Sequence, residues 1–169
     1  IKSSNGLIEP VIVKQDTNEV VEGNSRLAAY KLLYDGEPTK WSTILCEVLP
    51  IDITKDQILE LIGSFHMTGK LKWDPYEQAA LLWRLDKEEN KSMDELKSLL
   101  HMGAEKIKNY LKTYQFMRDN NLTKQSEFSY YLVLKTNRNV KKLKEIQPDL
   151  DKIIIKKIQT GEIDQAVKI

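Results

Sequence analysis

Strand-forming runs occur only in the first 66 of the 169 residues. Short β-rich segments bounded by turn residues alternate there with helical periodicity, and from about residue 67 onward only helical periodicity remains. A chain patterned in this way builds a small mixed-sheet α/β (α+β) domain followed by an all-α domain. The boundaries read as 1–66 and 67–169.

In the first part, Asn5-Gly6 marks a turn, and LIEPVIV gives a strand centred on Val11, Ile12 and Val13. Asp16-Thr17-Asn18 is a hairpin-type turn leading to a second strand, Glu19–Glu22. Gly23 breaks that strand, and a helix through Leu27, Tyr30, Leu32 and Leu33 runs to a C-cap at Asp35-Gly36. Thr43–Leu49 is a third strand closed by Pro50, and Thr54 caps a helix through Ile58, Leu59, Leu61 and Ile62. In the second part Asp74-Pro75 starts a helix whose buried face is Ala79, Leu82, Trp83 and Leu85. Ser92 starts another, and Gly103 separates it from a third. Further helices are expected at about 126–136, 139–146, 149–160 and 162–169, with Pro148 between two of them.

Charge divides the same way. Residues 1–66 hold 6 Lys and Arg against 10 Asp and Glu, and residues 67–169 hold 20 against 15, so a net of −4 is joined to a net of +5. The basic half is the better candidate for a polyanion. Lys141, Lys142, Lys144, Lys152, Lys156 and Lys157 read as the wet faces of helices sooner than as a polyanion site. No apolar run approaches the roughly 18 residues of a membrane span, and no signal peptide is visible. The single cysteine, Cys46, excludes an internal disulfide and fits a reducing, cytoplasmic setting. The chain opens and stops within patterned segments, which reads as a fragment of a longer protein.

SMDELKSLLHMGAEKIKNYLKTY, residues 92–114, has helix-turn-helix spacing. Leu96, Leu99 and Leu100 line one helix, His101-Met102-Gly103 makes the bend, and Ile107, Tyr110 and Leu111 line the second helix. The second helix is then expected to expose Ala104, Lys106, Lys108, Asn109 and Lys112. The lysines suit phosphates, and Asn109 suits a base edge. Lys97 replaces the usual small residue and His101 the usual turn glycine. A plain helical pair fits the same spacing.

EGNSRLAAYKLL, residues 22–33, starts a helix directly after a glycine. Exposed backbone N–H groups and the helix dipole at such a start favour an anion. Gly23 permits close approach, and Arg26 adds a forked donor among Gly23, Asn24, Ser25 and Arg26. The plain alternative has Asn24 or Ser25 capping the helix and Arg26 either snorkelling or pairing with a nearby carboxylate.

NGLIEPVIV followed by VVEGNSRLAAYKLL resembles the amino-terminal domain of the ParB/sulfiredoxin superfamily, and the helix-turn-helix downstream points to its ParB branch. ParB proteins carry G-E-R-R-x-R-A at this turn, and sulfiredoxins G-C-H-R-x-A-A. Here Gly23, Arg26 and Ala29 match. Asn24 stands in place of the ParB glutamate and the sulfiredoxin cysteine, while Ser25 and Ala28 stand in place of ParB arginines. An amide is neither a general base nor a thiolate nucleophile, which argues against efficient hydrolysis and against sulfiredoxin chemistry. The resemblance covers the chain from residue 1 to its end. It implies CTP with Mg2+ as cofactor, Gly23 and Arg26 as phosphate contacts, and Lys70 in place of an arginine in a second nucleotide segment. The Glu-Asn pair of that segment is missing.

The implied partners are double-stranded DNA, a second copy forming a dimer clamp, and a ParA-like ATPase, with no membrane. The implied setting is the nucleoid or a plasmid, and the implied role is DNA partition. No metal site is expected from the two histidines, and His66 reads as structural. Two other classes stay open: a nucleotide-dependent enzyme of the superfamily (kinase, nucleotidase or nuclease-like), and a non-catalytic regulator or interaction module whose nucleotide loop has decayed.

Overall fold

The computed structural model describes residues 1–69 and 72–166. The chain is mixed α/β and mostly helical, with eight α-helices and one three-stranded sheet among the described residues. It divides into two compact units, Ile1–Ile62 and Gly63–Ile169. No helix among the described residues is long and apolar enough to cross a membrane.

In the first unit β1 (Val11–Lys14) lies between β2 (Val20–Glu22) and β3 (Cys46–Leu49). β1 pairs antiparallel with β2 across a tight turn, where Asn18 takes φ 56° and the Lys14 N–H donates to the Glu19 carbonyl at 3.0 Å. β1 pairs parallel with β3 in the register Val11 to Cys46. A parallel partner needs a crossover, which α1 (Asn24–Gly36) supplies. β1 is central, so Val11, Ile12 and Val13 are all buried, as a strand covered on both faces requires. Tyr30 of α1 meets Trp41 edge to face, ring centres 5.5 Å apart, and both are buried. α2 (Lys55–Ile62) adds Leu59 to the core, and its start is a capping box between Thr54 and Gln57.

Two expectations need correction here. The third strand covers Cys46–Leu49, not Thr43–Leu49, and Cys46, Glu47 and Val48 are exposed. Gly36 closes α1 as its last residue, and Glu37 is the C-cap, its N–H donating to the Leu33 carbonyl.

The second unit opens on a π-helical turn, Gly63–Thr68. A Cβ on Gly63 would lie 2.5 Å from the Leu99 carbonyl oxygen and 2.9 Å from the Leu100 Cα, so only glycine lets this turn sit on the following helical pair. α3 (Pro75–Lys87) has proline at its first position and Asp74 at the N-cap. The Asp74 side chain makes no capping hydrogen bond, so its help is limited to its charge beside the dipole. α4 (Met93–Leu100) starts on a complete capping box, Ser92 with Glu95. α5 (Ala104–Asp119) follows after three residues, and His101 takes the left-handed conformation, φ 52° and ψ 37°, at the turn. Leu82, Leu85, Leu96, Leu100 and Ile107 are fully buried where α3, α4 and α5 meet. Trp83 and Leu111, expected inside, are half-buried, and Leu81, Gln78, Thr113 and Met117 are buried instead.

A short 3₁₀ turn (Gln125–Glu127) leads into α6 (Phe128–Thr136), then α7 (Arg138–Ile146) and α8 (Leu150–Gln159). Asp151 of α8 pairs with Lys135 of α6 and Lys144 of α7, and this joins the three helices. The helix expected at 162–169 does not form over 162–165, and 167–169 lie outside the described residues. Gly161 takes φ 78°, and the chain turns back so that the Ile163 N–H donates to the Lys157 carbonyl and the Tyr130 hydroxyl to the Asp164 carbonyl.

Tyr131 is fully buried in this unit, and its hydroxyl donates to Glu127 Oε2 at 2.7 Å. Burial, then the Glu127 carboxylate, push its pKa far above the usual phenol range. A pKa raised in the fold means stability is complete below the unfolded value near 10 and is lost as pH climbs beyond it. Urea titrations at rising pH should therefore show stability falling above about pH 10. The fall should be smaller in Tyr131→Phe, though not abolished, because Tyr110 and Tyr76 are also raised by burial.

Candidate nucleic-acid interface

At roughly 100° per residue, α5 sets Lys108 and Lys112 one turn apart on the side away from its buried stripe of Ile107, Tyr110, Thr113 and Met117. Lys108 and Lys112 are exposed, and Ala104, at the helix start, is half-exposed. This outer face also carries Glu105 and Gln115.

Lys106 is exposed as expected but does not join them. It lies roughly 160° around the helix from Lys108, beside α3. Its Nζ donates to the Gln78 side-chain oxygen at 3.2 Å and sits 5.1 Å from the centre of the Tyr110 ring. Gln78 is buried and donates in turn to the Trp73 carbonyl at 2.7 Å, which orients its amide oxygen toward the lysine. Burial pushes the Lys106 pKa down, and nearby Lys72 pushes it further. Asn109 departs from expectation. It is half-buried and lines a groove of about 540 Å3 with Leu132 and Thr136 of α6, at the flank of the face carrying the lysines. Of the five expected contacts, Ala104, Lys108 and Lys112 share one surface, and Lys106 and Asn109, three positions apart, line one groove along its flank.

The loop before α1 has a different character. Gly23 is the N-cap of α1, with φ 96°, so neither Asn24 nor Ser25 caps the helix; both are exposed in its first turn. No side chain caps α1, and its first turn holds no acidic residue. A Cβ on Gly23 would lie 2.9 Å from Val11 Cγ1 and 3.0 Å from Arg26 Nε, so glycine serves here to let Arg26 fold back over the turn. The two arms of that guanidinium are divided between two carboxylates. Nη1 meets Glu9 Oε2 at 2.9 Å, and Nη2 meets Glu22 Oε1 at 3.2 Å.

This is the plain alternative for Arg26. Carboxylates already hold the guanidinium that a phosphate would need, and they would repel the phosphate as well. The described residues therefore do not fit a triphosphate with its metal as they stand. Lys70 lies outside the described residues. Among the described residues no group of three or more His, Cys, Asp or Glu is placed to hold a metal ion. His66 is buried and stacks on Trp73, ring centres 4.5 Å apart.

Sequence patterning overlooked Gln78, which decides where Lys106 points. Its signal is a polar residue on the apolar stripe of Ala79, Leu82 and Leu85. It also missed Glu9 as the Arg26 partner, because 17 residues separate them.

No family model matches the chain, and no curated protein matches it.

The two Arg26 pairs should differ in strength. The Glu22 side chain is 13% exposed and that of Glu9 is 71% exposed. Glu9→Gln should cost no more than about 1 kcal/mol, the range of an exposed pair. Glu22→Gln should cost more, and Arg26→Met at least as much as Glu22→Gln, measured by urea unfolding at neutral pH.

Proposed function

We propose that the second unit binds double-stranded DNA through the outer face of α5, with Lys108 and Lys112 on phosphates. This makes the chain a non-catalytic DNA-binding protein of ParB-like organisation, acting in DNA partition or regulation. The observation that carries this reading is the pairing of α4 and α5 across three residues with both lysines exposed on the second helix. The outer side of α5 carries both lysines, as contact with phosphates at a groove requires. The excess of basic residues in the second half supports it.

The test is a salt titration of duplex binding by fluorescence anisotropy. Removing one lysine from a phosphate should lower the slope of log affinity against log salt by about 0.9. Lys108→Ala with Lys112→Ala should therefore lower it by nearly 2. Lys106→Ala should lower it by less, since its ammonium is shared with Gln78. Unchanged affinity in the double variant would remove α5 as the reader.

A second reading is that the start of α1 holds the phosphates of a nucleotide such as CTP. The absence of any side-chain cap on α1 favours it. The Glu9 and Glu22 pairs of Arg26 oppose it. Calorimetry with CTP and Mg2+ decides between them. The carboxylate-held arginine leads us to expect no heat from the natural chain, and a saturating signal abolished by Arg26→Ala would establish the loop as a nucleotide site.

A further inference from the structure

Between α3 and α5 lies a groove of about 490 Å3 that DNA binding through α5 does not use. Four aromatic rings line it among charged and aliphatic residues: Trp73, Tyr76 and Trp83 from α3 and the segment before it, and Tyr114 from α5. None of these four rings is fully buried. Tyr76 and Tyr114 have ring centres 5.3 Å apart at 55°, and Trp83 and Tyr114 6.1 Å apart at 48°. A cleft of several hundred Å3 that sets aromatic rings beside charged groups has room for a small molecule.

Its cations are not equivalent. Arg84 lies 3.9 Å from the Glu89 carboxylate. Arg118 has no carboxylate within ion-pair distance among the described residues. Its guanidinium carbon lies 4.0 Å from the centre of the Trp83 ring. Stacking of this kind holds the guanidinium plane while leaving its in-plane N–H donors available for a carboxylate. The Trp83 indole N–H is already committed to Gln115 at 3.1 Å, which fixes the ring beneath the arginine. The Tyr76 phenol is raised by burial and by its hydrogen bond with Tyr114, against the lowering pull of Arg118, so it stays uncharged in the groove wall. Glu77 and Glu88 also line the groove and oppose a ligand carrying more than one negative charge.

We propose that this groove binds a planar aromatic monocarboxylate, its ring against Tyr76 and Tyr114 and its carboxylate on Arg118. The two glutamates set it apart from a nucleotide site, since a phosphate monoester brings nearly two charges between them. The proposal does not depend on DNA binding.

The test is calorimetry on the full chain with benzoate and 4-hydroxybenzoate, beside benzamide as the uncharged analogue and CMP as the phosphate-bearing one. The acids should bind with dissociation constants on the order of 0.1–1 mM, the range open to so few atoms. Benzamide should bind about tenfold more weakly, the difference of one charge-assisted contact. Arg118→Gln should weaken acid binding by about the same tenfold, and Arg84→Gln by no more than about threefold. In NMR spectra the indole N–H signal of Trp83 should move with added acid while that of Trp41, in the other unit, stays still. Arg118 is exposed, so its variant should fold, and circular dichroism checks this. The proposal is overturned by silence of both acids up to about 5 mM, by benzamide binding as tightly as benzoate, or by an unaffected Arg118→Gln. Tighter binding of CMP than of either acid also overturns it, and would make the groove a nucleotide site instead.

Discussion

Two helices joined by only three residues have to close over one shared apolar cluster, and the second unit is organised around that closure. Leu96 and Leu100 on α4 and Ile107 on α5 are fully buried along with Leu82 and Leu85 of α3. The connection permits this only because His101 adopts φ 52°, a conformation that strains any residue with a Cβ. Burial of five large aliphatic side chains, at about 1.5–3 kcal/mol each relative to exposure, exceeds a strain on the order of 1–2 kcal/mol. Gly63 serves the same closure from outside, letting the preceding turn rest on the α4 backbone without a side chain between them. Once α4 and α5 are set, the direction of α5 determines which lysines face water.

Polar placement on α5 then follows from what stands beside the helix. Lys106 meets the buried Gln78 amide, and its ammonium lies over the Tyr110 ring. Asn109 meets α6. Lys108 and Lys112 rise from the exposed side of the helix, away from both. Elsewhere in the unit, Asp151 between Lys135 and Lys144 shows lysines spent on holding helices together, so the net charge of this half overstates what is free to meet a polyanion. Lys135 also sits 4.0 Å from the Phe116 ring centre, and burial pushes its pKa down.

The parts legible in the sequence were those carried by local periodicity and by turn chemistry. Leu96, Leu100 and Ile107 declared the helical pair by spacing alone, and Asp74-Pro75 and Ser92 declared two helix starts. What stayed hidden depends on residues distant along the chain. Glu9 reaches Arg26 across 17 positions, so the loop has the local pattern of an anion cradle while its arginine is held by carboxylates. Trp83 fits an apolar stripe by position, yet Arg118 holds it at the surface from far along the chain. The last expected helix does not form over residues 162–165, where Gly161 turns the chain back after α8.

The exposed edge of β3 carries a practical opportunity. Cys46 is the only thiol in the chain and lies open to solvent at the start of that strand, directly across from Val11 in the centre of the sheet. A single maleimide dye attached there would label every molecule at one known spot in the smaller unit. It would leave α3, α4 and α5 chemically untouched, so the two halves of the molecule can be watched unfolding separately, one by its dye and the other by the NMR indole N–H signals of Trp73 and Trp83.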